Sequence, residues 1–359
     1  MKFVHMADMH FDTSFTTLTN KADLGDKRRL DQRIVFKKII EYIKENSIPF
    51  LFIAGDFYEH EYIRQSTIEY INNLFKEIPD TRIFISPGNH DPFLKNSFYN
   101  KYNWNENVYI FGPELTCIEL DDVDIYGYGF DDFYYSNKEL ENFQLKNKNK
   151  INILIAHGTL NASETLEKTY NPISEKVLKN AGFDYVALGH VHKLDYNSYP
   201  NQRIVYCGST VSFGFDELGE HGILVGDINK SNLNLSFVPM DNTEFIVKEI
   251  DVTQMLDITE LADLINSIGN AENSYYKIEL IGKRSFEIDL FKLKKLIFNN
   301  NIIKIKDHTK INYNIEGIMN ETTLRGLFAK EIYEKMKENP EQKELLENAL
   351  EIGFEILEI

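Results

Sequence analysis

Only two cysteines, Cys117 and Cys207, occur in 359 residues, in different segments and without metal-ligand spacing. A disulfide framework and a thiolate zinc knot are thereby excluded, and both residues read as buried reduced thiols. No apolar run approaches the roughly 20 residues that a membrane span needs. The first strand reads as starting at Phe3, which leaves no room for a signal peptide and predicts a cytoplasmic protein. Positive charge is scarce as well: 39 Lys and Arg stand against 56 Asp and Glu, a formal net charge of −17. Phosphate contacts normally come from Lys and Arg, so this balance argues against a general nucleic-acid binder unless bound cations or a partner subunit supply the positive surface. Internal repeats and low-complexity tracts are also missing.

What is present is enough for a sizeable core: 43% hydrophobic and 13% aromatic residues. The length exceeds what one compact core usually holds, which predicts one large domain and something smaller. Phe3 to Met6 reads as a buried strand, Lys27 to Asn46 as an amphipathic helix on Phe36, Ile39, Ile40 and Ile43, and Phe50 to Ala54 as a strand. A helix near Gln65 to Glu77 and a strand Arg82 to Ser86 continue the alternation. From Thr116 to Tyr128 the pattern changes to short strands around Asp121-Asp122, which predicts a hairpin and a second, more antiparallel sheet. Strands at Ile151 to Ala156, Tyr185 to Leu188, Ile204 to Tyr206, Gly222 to Val225 and Leu233 to Val238 complete an α/β fold, a two-sheet β-sandwich flanked by helices. Domain boundaries are expected at 1–240 for this body, 241–315 for a small α+β unit and 316–359 for a helical tail. The tail reads as two helices, Glu321 to Lys337 and Gln342 to Glu358, with apolar stripes Leu324, Phe328, Ile332, Met336 and Leu345, Ala349, Ile352, Ile356.

Five short clusters follow apolar strands: Asp8-Met9-His10, Gly55-Asp56, Gly88-Asn89-His90-Asp91, Ala156-His157-Gly158 and Gly189-His190-Val191-His192. The carboxyl ends of strands are where α/β sheets build their sites. Carboxylate, amide oxygen and imidazole without thiolate suit Mn, Fe or Zn. A two-metal hydrolase needs a carboxylate that bridges ions roughly 3.5–4 Å apart, and Asp56 is the best candidate for it. Any one pair would be weak evidence, but an ordered set of this kind points to one dinuclear site. His5, inside an apolar strand, reads as a packed core histidine, and His221 and His308 as structural or surface residues. Asp12 and Asp91 follow the motifs closely and fit either a supporting role behind the metal ligands or loop capping.

In order and spacing these residues resemble the calcineurin-like metallophosphoesterase superfamily, and within it the SbcD-type DNA-repair exonucleases. The start Phe3-Val-His-Met-Ala-Asp-Met-His-Phe-Asp12 and the stretch Cys207-Gly-Ser-Thr210 leading to Phe213-Gly-Phe-Asp-Glu217 carry the finer likeness. The resemblance implies the metallophosphoesterase fold with a capping domain. It places Asp8, His10, Asp56 and His192 on one ion, and Asp56, Asn89, His157 and His190 on a second. It makes His90 the catalytic acid that protonates the leaving oxygen, with Mn2+ the expected metal and Fe, Zn or Mg compatible. It further implies 3′–5′ exonuclease and single-strand endonuclease activity on DNA, a homodimer, and an SbcC-like coiled-coil ATPase docked on the C-terminal helices. One departure stands out. Where some nuclease members carry a phosphate-positioning histidine three residues after the metal aspartate, this chain has Glu59, with His60 next, so Glu59 and His60 are the candidates for that position: either His60 reaches the same place through an altered loop or Glu59 does a different job.

Basic stretches at Lys27-Arg28-Arg29, Lys146 to Lys150, Lys283-Arg284 and Lys292 to Lys295 read as solvated faces, with Lys283 and Arg284 the better DNA candidates if a capping domain folds over the site. Two rival functions share the motifs. A stand-alone phosphodiesterase or phosphatase on a small nucleotide suits the acidic charge, and a non-catalytic scaffold for an ATPase would not need the complete donor set.

Overall fold

The computed structural model describes residues 1–15, 22–134, 139–161, 170–195, 202–269 and 271–357. The chain divides into two units, residues 1–245 and 246–359. No helix among the described residues is long and apolar enough to cross a membrane.

The apolar runs of unit one build two stacked sheets. β1 (Lys2–Met6), β2 (Phe50–Ile53), β3 (Arg82–Ile85) and β4 (Val108–Ile110) lie parallel and in order. The chain then forms a second sheet from β5 (Thr116–Glu119), β6 (Val123–Gly127), β7 (Ile151–His157), β10 (Tyr185–Gly189) and β11 (Ile204–Tyr206), with a two-residue ladder of β8 (Thr159–Leu160) and β9 (Pro172–Ile173) beside it. It returns to the first sheet as β12 (Gly222–Ile228) and β13 (Leu233–Pro239), so the orders are β13-β12-β1-β2-β3-β4 and β11-β10-β7-β6-β5. The expectation of a more antiparallel second sheet is corrected. Only the β5–β6 hairpin is antiparallel there, and the other antiparallel pairs, β1–β12 and β12–β13, belong to the first sheet. β4 is unforeseen because its three residues are half-buried and show no period.

Burial explains the layering. Phe3, Phe52, Phe84 and Leu224 of the first sheet meet Ile125, Ile153, Ile155, Tyr185 and Ala187 of the second in the inter-sheet core. Alternate residues point the other way, as the two-residue period of a strand requires. Val4, Met6, Leu51, Ile53 and Ile85 thus pack under α1 (Ala22–Glu45) and α2 (Gln65–Lys76) through Phe36, Ile39, Ile40, Ile68 and Phe75. The one-turn α3 (Phe98–Lys101) adds Tyr99 to this layer, and α4 (Glu175–Ala181) covers the outer face of the second sheet with Leu178. Cys207 is buried and Cys117 half-buried, both as free thiols, so Cys117 is more open than expected. His5 is a core histidine: it bonds the Tyr185 hydroxyl at 2.8 Å, and burial pushes its pKa down to about 3.

Unit two has its own core. β14 (Glu244–Asp251), β15 (Ser274–Ile281) and β17 (Ile302–Asp307) form a three-stranded sheet, and β16 (Lys283–Arg284) pairs with β18 (Lys310–Ile311). Ile278, Leu280 and Ile305 of the sheet pack on Leu261 and Ile265 of α5 (Ile258–Asn266) and Leu293 of α6 (Leu290–Leu296). Asp257 and Asp289 start these two helices by accepting the free amides of the first turn.

After α7 (Ile315–Met319), helices α8 (Leu324–Glu338) and α9 (Lys343–Leu357) form a hairpin. Glu358, the expected end of the last helix, lies outside the described residues. In the first stripe Ile332 is buried and Phe328 and Met336 pack beside it, with only Leu324 exposed; the second stripe is corrected, since Leu350 and Phe354 are buried while Leu345, Ile352 and Ile356 are exposed. Each helix is apolar on more than one face, and the hairpin covers only one of them.

A buried ion pair ties α1 to the segment after β13. Arg28 is fully buried and reaches Asp241 at 2.6 Å, the Ser212 carbonyl at 2.8 Å and the Thr243 hydroxyl at 2.5 Å. Burial opposes ionisation of Asp241, but the Arg28 charge outweighs it and holds the carboxyl below the usual carboxylate range. Arg28→Met, which leaves Asp241 uncompensated, is expected to destabilise unit one by about 3–5 kcal/mol in urea unfolding at neutral pH. Because the folded pKa is depressed, the pair's contribution is complete above about pH 5 and fades as pH falls through the folded value. The gap between wild type and variant should therefore narrow under acid, and a gap independent of pH would contradict the pairing.

Candidate metal centre

The five clusters converge because each sits on the turn leaving a strand of the sandwich. Asp8 and His10 follow β1, Asp56 follows β2, Asn89 and His90 follow β3, His157 ends β7, and His190 and His192 follow β10. Three of these turns are strained, at four residues. Asp8 (φ 51°), His10 (φ 46°), Asp56 (φ 48°) and His190 (φ 102°) adopt positive φ, which side-chain-bearing residues rarely do. The kinks turn successive side chains inward to one place. Two glycines make the room: a Cβ on Gly55 would strike the His157 imidazole, and one on Gly88 would strike the Asp56 carboxylate.

The donors fall into overlapping groups: Asp8, His10 and His192; Asp56, His157 and His190; and His10, Asp56 and His90. Asp56 stands between the first two groups, its Oδ2 lying 3.7 Å from His10 Nε2 and 3.2 Å from His157 Nε2. Asn89 Oδ1 joins the second group, 3.1 Å from His157 Nε2 and 3.2 Å from His190 Nδ1. Thus all eight residues singled out in the sequence are brought to one locus.

The surroundings set the orientation of each ring. His10 Nδ1 bonds Glu59 Oε1 at 2.8 Å, His192 Nδ1 bonds Glu217 Oε1 at 2.5 Å, and His157 Nδ1 bonds the Ala54 carbonyl at 2.9 Å. An acceptor at Nδ1 puts the proton there and leaves Nε2 as a lone pair. His10 Nε2 and His192 Nε2 nevertheless face each other at 3.2 Å. Two lone pairs at that distance repel unless a proton or a cation lies beside them, and buried Asp8 and Asp56 add negative charge to the same spot. A divalent cation fits this donor set, and nitrogen and oxygen ligands without sulfur suit Mn, Fe or Zn.

Electrostatics follow from the crowding. Burial pushes the Asp8 carboxyl up, against the pull of His192 and His157. At Asp56 burial also opposes ionisation, but His157, His10 and His90 outweigh it and hold the carboxyl well below the usual range. Burial works against charge on His157, His192 and His90 as well, yet Asp56 raises His157 to about 9, Glu217 raises His192 to about 9, and Glu59 raises His90 to about 9. Burial, then the His157 charge, pushes His190 down to about 4.

Glu59 and His60 occupy different places. Glu59 bridges His10 and His90, accepting from His90 Nδ1 at 2.9 Å, whereas His60 lines the neighbouring cavity, its amide bonded to the His90 carbonyl. Asp91 holds the Asp56 turn by accepting the amides of Asp56, Phe57 and Gly88 and the Tyr99 hydroxyl. Asp12 accepts from Arg33, Thr67 and the Arg64 amide. Lys283 and Arg284 belong to unit two, where the Arg284 guanidinium is committed to Thr309 and the Phe286 carbonyl. Glu217 and His221 were not foreseen here. Ser209 Oγ links them, donating to Glu217 Oε2 at 3.0 Å and meeting His221 Nδ1 at 2.9 Å. Glu217 stood in a quoted motif, but nothing in its neighbours announced a contact with His192.

Residues 1–194 match the family described as calcineurin-like phosphoesterase. The chain is also similar to a Bacillus subtilis (strain 168) protein named uncharacterized metallophosphoesterase YhaO, 23% identical over 274 residues, 74% of this chain and 66% of that one. It therefore spans just under two thirds of the length of that relative.

Two measurements test the centre. Since His157 and His192 keep their protons to about pH 9, an entering cation must expel them. Calorimetric Mn2+ titration at neutral pH, run in buffers of different ionisation enthalpy, should show net proton release and an affinity that rises towards pH 9. Uptake without proton release would contradict the ligand set. Glu217→Ala, which frees His192 Nδ1, is expected to weaken Mn2+ binding about 10- to 100-fold.

Proposed function

The chain belongs to the calcineurin-like phosphoesterase family, and from that premise we propose that it is a divalent-metal-dependent phosphodiesterase acting on DNA, the nuclease subunit of an SbcCD-like repair complex. The observation that carries the hydrolytic part is the position of Asp56 between two histidine-rich groups. Asp8, His10, Asp56 and His192 would hold one ion, and Asp56, Asn89, His157 and His190 the second. Such ions, Mn2+ foremost, supply a lowered pKa for water and countercharge for phosphoryl oxygens.

The protein's own residues do the rest. His90 is bonded through Nδ1 to Glu59, so its other nitrogen is the one that can serve the cavity it lines. Burial disfavours its charge, but Glu59 and Asp56 raise its pKa to about 9, which keeps it protonated near neutrality as a general acid must be. It donates to the leaving 3′ oxygen, a poor leaving group without a proton. Glu59 is the positioning residue for both His90 and His10, a different task from that of the histidine it replaces.

The DNA part is supported by the cavity beside His90, about 420 Å3, lined by Tyr62, Phe133, Tyr134, Tyr170 and His60. Aromatic rings are platforms for unpaired bases. The exposed leucines and isoleucines of the α8–α9 hairpin, Leu324 at 69% and Leu345 at 67% among them, support docking of a coiled-coil ATPase. Homodimer formation belongs to the same proposal. Acidic Glu59 and Glu61 in the cavity favour the rival reading, a diesterase for a small nucleotide.

Mn2+-dependent cleavage of linear DNA, compared with cyclic nucleotides and an aryl phosphodiester, decides between them. DNA cleavage is expected, with Asp56→Asn inactive and His90→Asn lowering kcat about 10²- to 10⁴-fold while keeping its metal content. Turnover of the small diesters without DNA cleavage would overturn the nuclease reading, and loss of both ions from His90→Asn would overturn the role of His90.

A further inference from the structure

In a chain of net charge −17, unit one holds a pocket whose cations, among the described residues, are all arginine. Arg29 and Arg33 lie four residues apart on α1, hence on one face, and Arg64 immediately precedes α2. The three open on a cavity of about 490 Å3 together with Asp12, Ser14, Asp26, Leu30 and Tyr62. Among the described residues three guanidinium groups face two carboxylates there, so that lining is net positive where the chain as a whole is strongly negative.

Two of the arginines are pre-set. Arg29 pairs with Asp26 and donates to the Thr13 carbonyl at 3.3 Å, and Arg33 reaches Asp12 at 2.7 Å and the Thr67 hydroxyl at 2.8 Å. Arg64 is exposed, and its guanidinium makes no hydrogen bond or ion pair among the described residues. Arg28, next in sequence, is consumed by Asp241 and contributes nothing to this face. Fixed guanidinium forks with one uncommitted neighbour suit a phosphate, whose oxygens accept several N–H bonds at once.

Position gives the pocket its meaning. Ser14 and Tyr62 line both this pocket and the cavity beside His90, so the two adjoin along the Tyr62 ring, which is 52% exposed. Among the described residues the cavity beside His90 carries aromatics and acids but no Lys or Arg, and the next pocket carries the arginines. A substrate bound across both must alternate a flat uncharged group with an anionic one. We propose that the Arg29–Arg33–Arg64 pocket binds a phosphate of the polynucleotide strand that flanks the scissile one, with Tyr62 stacking on the base between them. This rests on the nuclease reading of the centre. It locates where a strand is preferred to a small diester, which has no second phosphate to place there.

Binding and cleavage are measured separately. A fluorescein-labelled oligothymidylate of about twelve nucleotides is titrated in EDTA over a range of salt concentrations, for wild type, Arg29→Gln/Arg64→Gln and Arg29→Lys/Arg64→Lys. The same proteins are assayed with Mn2+ on the oligonucleotide and on bis(4-nitrophenyl) phosphate. The glutamine pair is expected to weaken oligonucleotide binding about tenfold and to flatten the dependence of log K on log salt by about 0.7, one single-strand phosphate contact. Its ratio of oligonucleotide to aryl-diester turnover should fall by a similar factor, through KM rather than kcat. The lysine pair should keep the wild-type salt slope, which a loss of folding would not allow. Cleavage of the oligonucleotide with wild-type affinity and slope in the glutamine pair would overturn the pocket and leave the nuclease reading standing. Arginine-dependent binding without cleavage by wild type would do the reverse, and no binding by wild type would overturn the pocket.

Discussion

Two carboxylates, Asp8 at 0% and Asp56 at 2% exposure, sit inside the body of unit one, and the remainder of the site answers the cost of holding charge there. Removing an ion from water costs several kcal/mol even after relaxation, and attraction repays it only where partners are close and well placed. The backbone provides the first answer. The His190 amide points at Asp8 from 3.1 Å, and the His90 amide at Asp56 from 2.8 Å. Imidazoles provide the second, and they are themselves braced from behind by Glu59, Glu217 and the Ala54 carbonyl. Charge therefore alternates outward in shells, from carboxylate to imidazole to carboxylate. Such a structure has a place for cations at its middle and little tolerance for the loss of any one ring.

Much of this was legible in the chain. Apolar runs such as Phe50-Leu-Phe-Ile53, short and closed by Gly55, read as buried strands, and polar residues set immediately after them are then expected at strand ends on one edge. The five clusters could thus be picked out without coordinates, while the sharing of their members between two ions came from the family resemblance. What could not be read depends on contacts far apart in sequence. Glu217 meets His192 across a separation of 25 residues, and Arg28, in a basic triplet that reads as a solvated face, turns inward to Asp241 across 213. The exchange of a histidine for Glu59 could be seen, but its effect could not, since that depends on two rings arriving on either side of one carboxylate. In the tail, periodicity showed that both helices are amphipathic but not which apolar face the other helix would cover, because each has more than one.

Net charge proved a poor guide to local potential. The acidic excess is a sum over 359 residues, whereas recognition of an anion depends on the few groups within about a Debye length, roughly 8–10 Å. The face of α1 bearing Arg29 and Arg33 has the opposite sign from the chain as a whole. An overall negative charge also disfavours general association with polynucleotide, so a small positive area gains selectivity from its surroundings.

The left-handed turns at residues 8, 10 and 56 carry a consequence for how the protein could change. Glycine is the residue best suited to those dihedral angles, and each present side chain holds a strained backbone against that preference, at a cost on the order of 1–3 kcal/mol. A population selected for heat resistance alone would be drawn to glycine at these positions, becoming more robust as it lost its donors. The centre is thus kept by selection for chemistry in opposition to selection for durability, and in a lineage released from its reaction these turns would be the first to decay.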